Sequence, residues 1–179
     1  MNVFILHPSP QIAAQCHCDQ HLHKMILESA QMLSTAAHAR FPELRSIVYR
    51  PAYPNHPCTT WVNQSIDNML WVCELAKELE IIRDELGYAP HSASHVVKHI
   101  HDFITDEYPI ASHLTVKSFA FAGPAFIKLR NDLSIIEKYQ MYYEYKHRQW
   151  VLDKGQGMTY NGRLVPEFML SAHSTRSRI

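Results

Sequence analysis

The 179 residues suit one domain, and a 46% hydrophobic share is enough to bury a core without disulfide or metal staples. Lysine plus arginine equals aspartate plus glutamate at 17 each, which excludes whole-protein steering toward nucleic acid and leaves that task to a local basic face. No apolar run approaches the roughly 20 residues of a bilayer span, and MNVFILHPSP lacks the basic start of a signal peptide. A soluble, cytoplasmic protein with no membrane partner is expected.

Residues 2–6 (NVFIL) form a short apolar, β-leaning run, either a buried extended arm or a single edge strand, ended by Pro8 and Pro10. Ser9 as N-cap and Pro10 at the first position start a helix that runs to about Ala39 and stops before Pro42. At 100° per residue, His17, His21, Lys24, Glu28, Gln31 and Thr35 share a stripe roughly 80° wide. Cys18, Leu22, Met25, Ile26, Ser29, Met32, Leu33 and Ala36 make the adjoining apolar face. A helix at the wall of a cleft has this pattern, and so does an amphipathic helix with a decorated edge.

Residues 41–57 carry Pro42, Pro51, Pro54 and Pro57 and read as an ordered, largely extended loop. A second helix over about 60–86 places Trp61, Ile66, Met69, Val72, Leu75, Leu79 and Ile82 on its apolar side, with Ser65 and Asn68 interrupting the stripe. Gly87 ends it. A third helix begins at Pro90 or Ser92 and ends near Thr105. Residues 106–124 are weakly patterned, and their SFAFAG is a strand or an apolar loop. The last helix runs from Asn131 or Ser134 to about Val151. The expected fold is all-α: a compact single domain of about four main helices with a short extended N-terminal arm. It spans residues 1–170, with 171–179 as a mobile tail.

Several constellations in this layout could carry chemistry. His21 and Glu28 lie two turns and roughly 10.5 Å apart, too far to form a contacting pair but able to reach one substrate. The plain alternative is a solvated edge with a Lys24–Glu28 ion pair. His17 and His21 could share a metal with His56 or Cys58. No closed ligand set is readable, so neither metal nor cofactor is expected. Cys16, Cys18, Cys58 and Cys73 show no CxxC spacing and read as reduced thiols. The Asn55-His56-Pro57-Cys58 corner is either a polar loop facing an anion or ordinary turn chemistry. Ser65 and Asn68 either satisfy one another or line the same cleft as Glu28. The KYQMYYEYKHRQW helix offers Tyr142, Tyr143, Lys146 and Arg148 for base stacking and phosphate contact, or packs its rings in a core.

Asp19-Gln20-His21-Leu22, with Glu28 seven residues after His21, resembles the first helix of pyrimidine-dimer DNA glycosylases of the endonuclease V type. Pro90-His91-Ser92-Ala93-Ser94 and the aromatic C-terminal helix are looser echoes in the same order. The chain is also similar to small phage-encoded helical proteins with a CDxH…KM…E helix followed by NHPCxxW. The resemblance implies DNA as partner, base flipping, and attack on the sugar C1′ by a free N-terminal amine, followed by a Schiff base and strand cleavage. It implies Glu28 as the catalytic carboxylate and His21 as a positioning or proton-transfer group. The nucleophile would be the Met1 amine, since Asn2 leaves Met1 in place, or else Lys24. Leu27 and Gln31 stand where the family places phosphate-gripping arginines. Asn55, His56, Ser65 and Asn68 then become pocket-wall candidates. The alternative function is a non-enzymatic helical protein that binds nucleic acid or metal.

Overall fold

The computed structural model describes residues 1–108 and 118–170. Its helices are α1 (Pro10–Cys16), α2 (Asp19–Arg40), α3 (Pro57–Val62), α4 (Ile66–Glu85), α5 (Ser94–Glu107), α6 (Ala125–Lys128) and α7 (Ile135–Lys154). Two single 3₁₀ turns, Pro42–Leu44 and Glu167–Met169, complete the regular structure, and no strand occurs among the described residues. The fold is all-α, as expected, and the segment 171–179 expected to be a mobile tail lies outside the described residues.

Two expected helices are each broken in two. The first breaks at His17 and Cys18, both extended, with ψ of 135° and 163°. Tertiary partners compete there for the helical hydrogen bonds. The Cys18 N–H donates to the Tyr143 hydroxyl at 3.0 Å, and the Asp19 N–H to the Thr159 carbonyl at 2.9 Å. The second break lies between α3 and α4, where Ser65 caps α4 by accepting from the Asn68 N–H at 3.1 Å. Asn68 in turn donates through Nδ2 to the Trp61 carbonyl at 2.7 Å, tying the end of α3 to the first turn of α4. The polar pair that interrupts the apolar stripe is therefore a joint between two helices.

α2 packs against α3, α4 and α5, while α1 lies on α4. Leu22, Ile26, Met32 and Leu33 face a core that also holds Val72, Leu75 and Leu79, all buried. SFAFAG is an apolar loop: Phe119 sits 5.2 Å from the rings of both Trp61 and Trp71, and Phe121 packs 5.0 Å from Tyr139. α7 starts with a Ser134–Glu137 capping box and ends at Gly155, whose φ of 66° is the left-handed stop that glycine adopts without strain. The following segment returns to the start of α2, where Asp19 accepts from the Asn161 N–H at 2.8 Å and pairs with Arg163 at 2.7 Å.

The N-terminal run is a buried arm, not a strand, with Asn2 through Leu6 all enclosed. It lies between α2 and α7. Phe4 stacks on His21 of α2 at 4.9 Å and meets Tyr143 of α7 edge-on at 5.2 Å. Tyr143 thus holds the α1–α2 break and the arm together. Tyr143→Phe would leave the buried Cys18 N–H without its acceptor and His21 without its partner. A loss of about 2–4 kcal/mol in urea unfolding is expected, against no loss if water replaces the hydroxyl.

Candidate active site

Glu28 lies on the stripe of α2 that the arm covers, and it is only 8% exposed. A carboxylate so enclosed needs donors. Its Oε2 accepts from the Asn2 backbone N–H at 2.5 Å, and its Oε1 lies 3.9 Å from the Met1 amine. On the solvent side Lys24, 61% exposed, brings Nζ to 3.5 Å from Oε1. One carboxylate therefore meets two amines and a peptide N–H.

The chain start is held there by Asn2. Its Nδ2 donates to the Ala122 carbonyl at 2.7 Å, and its Oδ1 receives the Tyr139 hydroxyl at 3.3 Å and the Cys58 thiol at 3.5 Å. The Met1 side chain is buried, with Sδ 3.6 Å from the Thr59 hydroxyl. The position of the amine is thus set by four anchors on α3, α7 and the 118–123 loop.

Three further candidates sit in the same electrostatic neighbourhood. His56 caps α3, its Nδ1 accepting from the Cys58 N–H at 3.2 Å. Burial lowers its pKa, the Met1 ammonium lowers it further, and Glu28 opposes both. Burial raises Tyr142, with Tyr145 and Glu28 adding to the shift. Burial lowers Lys146, and the nearby Lys24 charge adds to this while Glu28 counteracts it. The Lys146 ammonium lies 5.3–5.8 Å from the ring centres of Trp150, Tyr142 and Phe4.

His21 is placed differently. It is 2% exposed, stacked on Phe4, and its Nδ1 lies 2.6 Å from the Tyr143 hydroxyl. That hydroxyl also accepts from the Cys18 N–H, so one oxygen ties His21 to the start of α2. Tyr143 is wholly buried beneath this pair. Asn55 is exposed in the loop, and Ser65 and Asn68 form the α3–α4 joint. Arg148 is exposed, 3.4 Å from Glu144 one turn back. Asn2, Thr59 and Phe4 went unnoticed as site residues. The signal for Asn2 was present: a lone polar side chain in a buried apolar run must find partners.

Among the described residues no group of three His, Cys, Asp or Glu side chains is placed to hold a metal. A groove of about 690 Å³ between α4 and α5, lined by Ala76, Glu80, Val97 and His101 among others, contains none of the predicted residues. No described helix is long and apolar enough to cross a membrane.

Fold and site together define a class: an all-helical protein whose own chain start is folded over an enclosed carboxylate. Residues 1–93, just over half of the chain, match the family model described as pyrimidine dimer DNA glycosylase. The chain belongs to the pyrimidine dimer DNA glycosylase family. Comparison with curated proteins and with solved structures gave no match. The matched part contains Met1, Asn2, Lys24, Glu28 and His56, whereas Tyr142 and Lys146 lie outside it.

The enclosed histidines give this region a pH dependence. Burial pulls His17 from 6.5 down to about 4 and holds His21 well below 6.5. The unfolded chain takes up these protons near pH 6.5 and the folded chain only at lower pH. Stability is therefore fully present above about pH 6.5 and falls as the pH drops toward 4, by up to roughly 1.4 kcal/mol per unit for each histidine. Urea midpoints measured down this range should decline in the wild type and decline less in His17→Gln. A flat profile would mean that neither ring is held neutral.

Proposed function

We propose that the protein removes a base from DNA by amine attack at the sugar C1′, with Glu28 as the catalytic carboxylate and the Met1 amine as nucleophile. The observation that carries this reading is the meeting of the Met1 amine and Glu28 at 3.9 Å over an arm fixed by Asn2. Anchoring favours Met1 over Lys24, because a nucleophile held in place loses less freedom on reaching the reacting carbon. Lys24, largely exposed, shares the carboxylate from the open side.

After the ammonium has given one proton to solvent, the neutral amine nitrogen forms a bond to C1′ as the N-glycosidic bond breaks, and the base leaves with that electron pair and takes up a proton. Glu28 stabilises the positive sugar carbon and accepts the proton released from nitrogen as the ring opens to the Schiff base. In this reading Glu28 then removes a C2′ proton, after which the C3′–O bond breaks and the strand is cut. His21 acts as a positioning group: its stack on Phe4 keeps the arm against α2. His56, Tyr142 and Lys146 flank the reacting sugar and base. Asn55 and Arg148, both exposed, are suited to contacts further along the DNA. Tyr143, Ser65 and Asn68 support the site through the fold. The chemistry needs no cofactor, and the cytoplasm is the compartment in which this protein would meet its DNA.

Borohydride reduces an imine to a stable amine, so wild-type protein should crosslink to duplexes carrying an abasic site or a pyrimidine dimer. Glu28→Gln keeps the size of the side chain and should lose about 10²–10⁴-fold in turnover while remaining folded. Extending the chain ahead of Met1 should abolish the crosslink if that amine attacks, and Lys24→Met should abolish it if Lys24 does. No crosslink on any lesion by a folded protein would hand the case to the non-enzymatic binding reading.

A further inference from the structure

Between Glu28 and Asp67 the chain carries Arg40, Arg45 and Arg50 against a single carboxylate, Glu43, although the whole protein is charge-balanced. Elsewhere several arginines are matched by carboxylates: Arg130 by Asp132 at 2.5 Å, Arg163 by Asp19 at 2.7 Å, and Arg83 by Glu80 at 3.1 Å. Arg40 instead grips Asn63, and Arg45 uses only Nε, on the His38 carbonyl at 3.0 Å. The two terminal nitrogens of Arg45 make no hydrogen bond or ion pair among the described residues.

A cavity of about 490 Å³ opens at this place, lined by Thr35, His38, Arg45, Pro51, Pro54 and Thr59 among others, with no carboxylate on its wall. The buried Nε2 of His38 has no hydrogen-bond partner, which in a native fold calls for an explanation. The cavity adjoins the candidate active site. Thr59 touches Met1, and Thr35 lies seven residues beyond Glu28 on α2, roughly 10.5 Å along the axis. That distance is about three base-pair steps of a DNA strand.

The loop at its rim is held in an unusual shape. Tyr53 has a φ of 49° and is 68% exposed. A bulky residue in the left-handed region is strained, and such strain persists only where the surroundings impose it. Here Pro51 and Pro54 flank Tyr53. The Thr35 hydroxyl accepts from the Ala52 N–H at 3.0 Å, with its oxygen 2.9 Å from the Gln31 carbonyl and 3.1 Å from that of Ala52. An aromatic ring is thereby kept in solvent on the loop whose Pro51 and Pro54 line the same cavity as Arg45.

We propose that this cavity and loop form a strand-binding subsite, in which Arg45 takes a backbone phosphodiester flanking the reacting nucleotide, in the cavity that His38 also lines, and Tyr53 stacks on a neighbouring base. The subsite rests on the reading of Glu28 as acting on DNA. An anion fits the terminal nitrogens of Arg45, which no carboxylate on the cavity wall opposes, and an exposed ring accepts any base because every base has a flat face.

The test uses duplexes with one tetrahydrofuran abasic analogue and a single neutral methylphosphonate moved along the strand. Wild-type protein should lose about tenfold in affinity at one position within about three steps of the analogue. Arg45→Gln should bind the unmodified duplex about tenfold more weakly, show a salt slope smaller by about 1, and no longer sense that methylphosphonate. Tyr53→Asn, which tolerates the left-handed backbone, should bind at least about fivefold more weakly with no fall in melting temperature. If Arg45→Gln binds, titrates with salt and responds to the methylphosphonates as the wild type does, the subsite is overturned, even where crosslinking through Met1 succeeds. A parallel titration with inorganic phosphate, followed at the His38 ring by NMR, separates the two failures. A shift lost in Arg45→Gln supports the anion pocket even if duplex is not bound, in which case the DNA reading of Glu28 falls. No shift and no duplex binding overturns both.

Discussion

An enclosed carboxylate is the constraint on which the rest of the site depends. Glu28 is taken out of water by the chain start, and the same chain start supplies the donors that make this tolerable: the Asn2 N–H on one oxygen and the Met1 ammonium near the other. Neither half is stable alone. Without the carboxylate, the buried Asn2 peptide N–H would lack its acceptor; without the arm, the carboxylate would sit in an open groove beside Lys24. The apolar residues Val3 to Leu6 make the arrangement possible, since their burial draws the first residues inward against the cost of desolvating charge.

The arm also explains why α7 is so aromatic. Between α2 and α7 there is room for an extended chain, and Phe4 fills its centre, in ring contact with His21 on one side and with Tyr139, Tyr142 and Tyr143 on the other. Tyr139 and Tyr143 are then spent on structure, their hydroxyls fixing Asn2 and Cys18. Tyr142 and Lys146, on the turn facing Glu28, keep part of their surface open. Of the two readings that its sequence left open, the core packing is the one seen at Tyr139 and Tyr143, while Tyr142 and Lys146 stay half-buried.

Periodicity made the all-α fold legible, and the seven-residue step from His21 to Glu28 made the catalytic carboxylate candidate legible. The breaks were not. The helix over 10–39 continues its apolar pattern through His17 and Cys18, and what stops it is a hydroxyl from residue 143, which no local pattern announces. Ser65 did carry a local cap signature, Ser followed by Asp67 in the first turn, but the longer apolar stripe from Trp61 to Ile82 overrode it. His21 and Glu28 share a stripe to within about 20°, yet one is stacked beneath Phe4 and the other meets the chain start. That divergence comes from what lies over each turn of α2. The placing of Met1 was legible only through resemblance, because a terminal amine has no pattern of its own.

The family match stops at residue 93, and this boundary divides the site in a meaningful way. The amine, the carboxylate and Lys24 all lie before it, on an arm and a helix whose geometry relative to one another is set by short hydrogen bonds. The surfaces facing them, Tyr142, Lys146 and the Ala122 carbonyl that holds Asn2, come from the remainder. The position of Met1 over Glu28 therefore depends on both halves, since Asn2 is held by Ala122 and Tyr139. A change in α7 can alter what the site admits without touching an amine or a carboxylate, because α7 contributes rings and one half-buried ammonium.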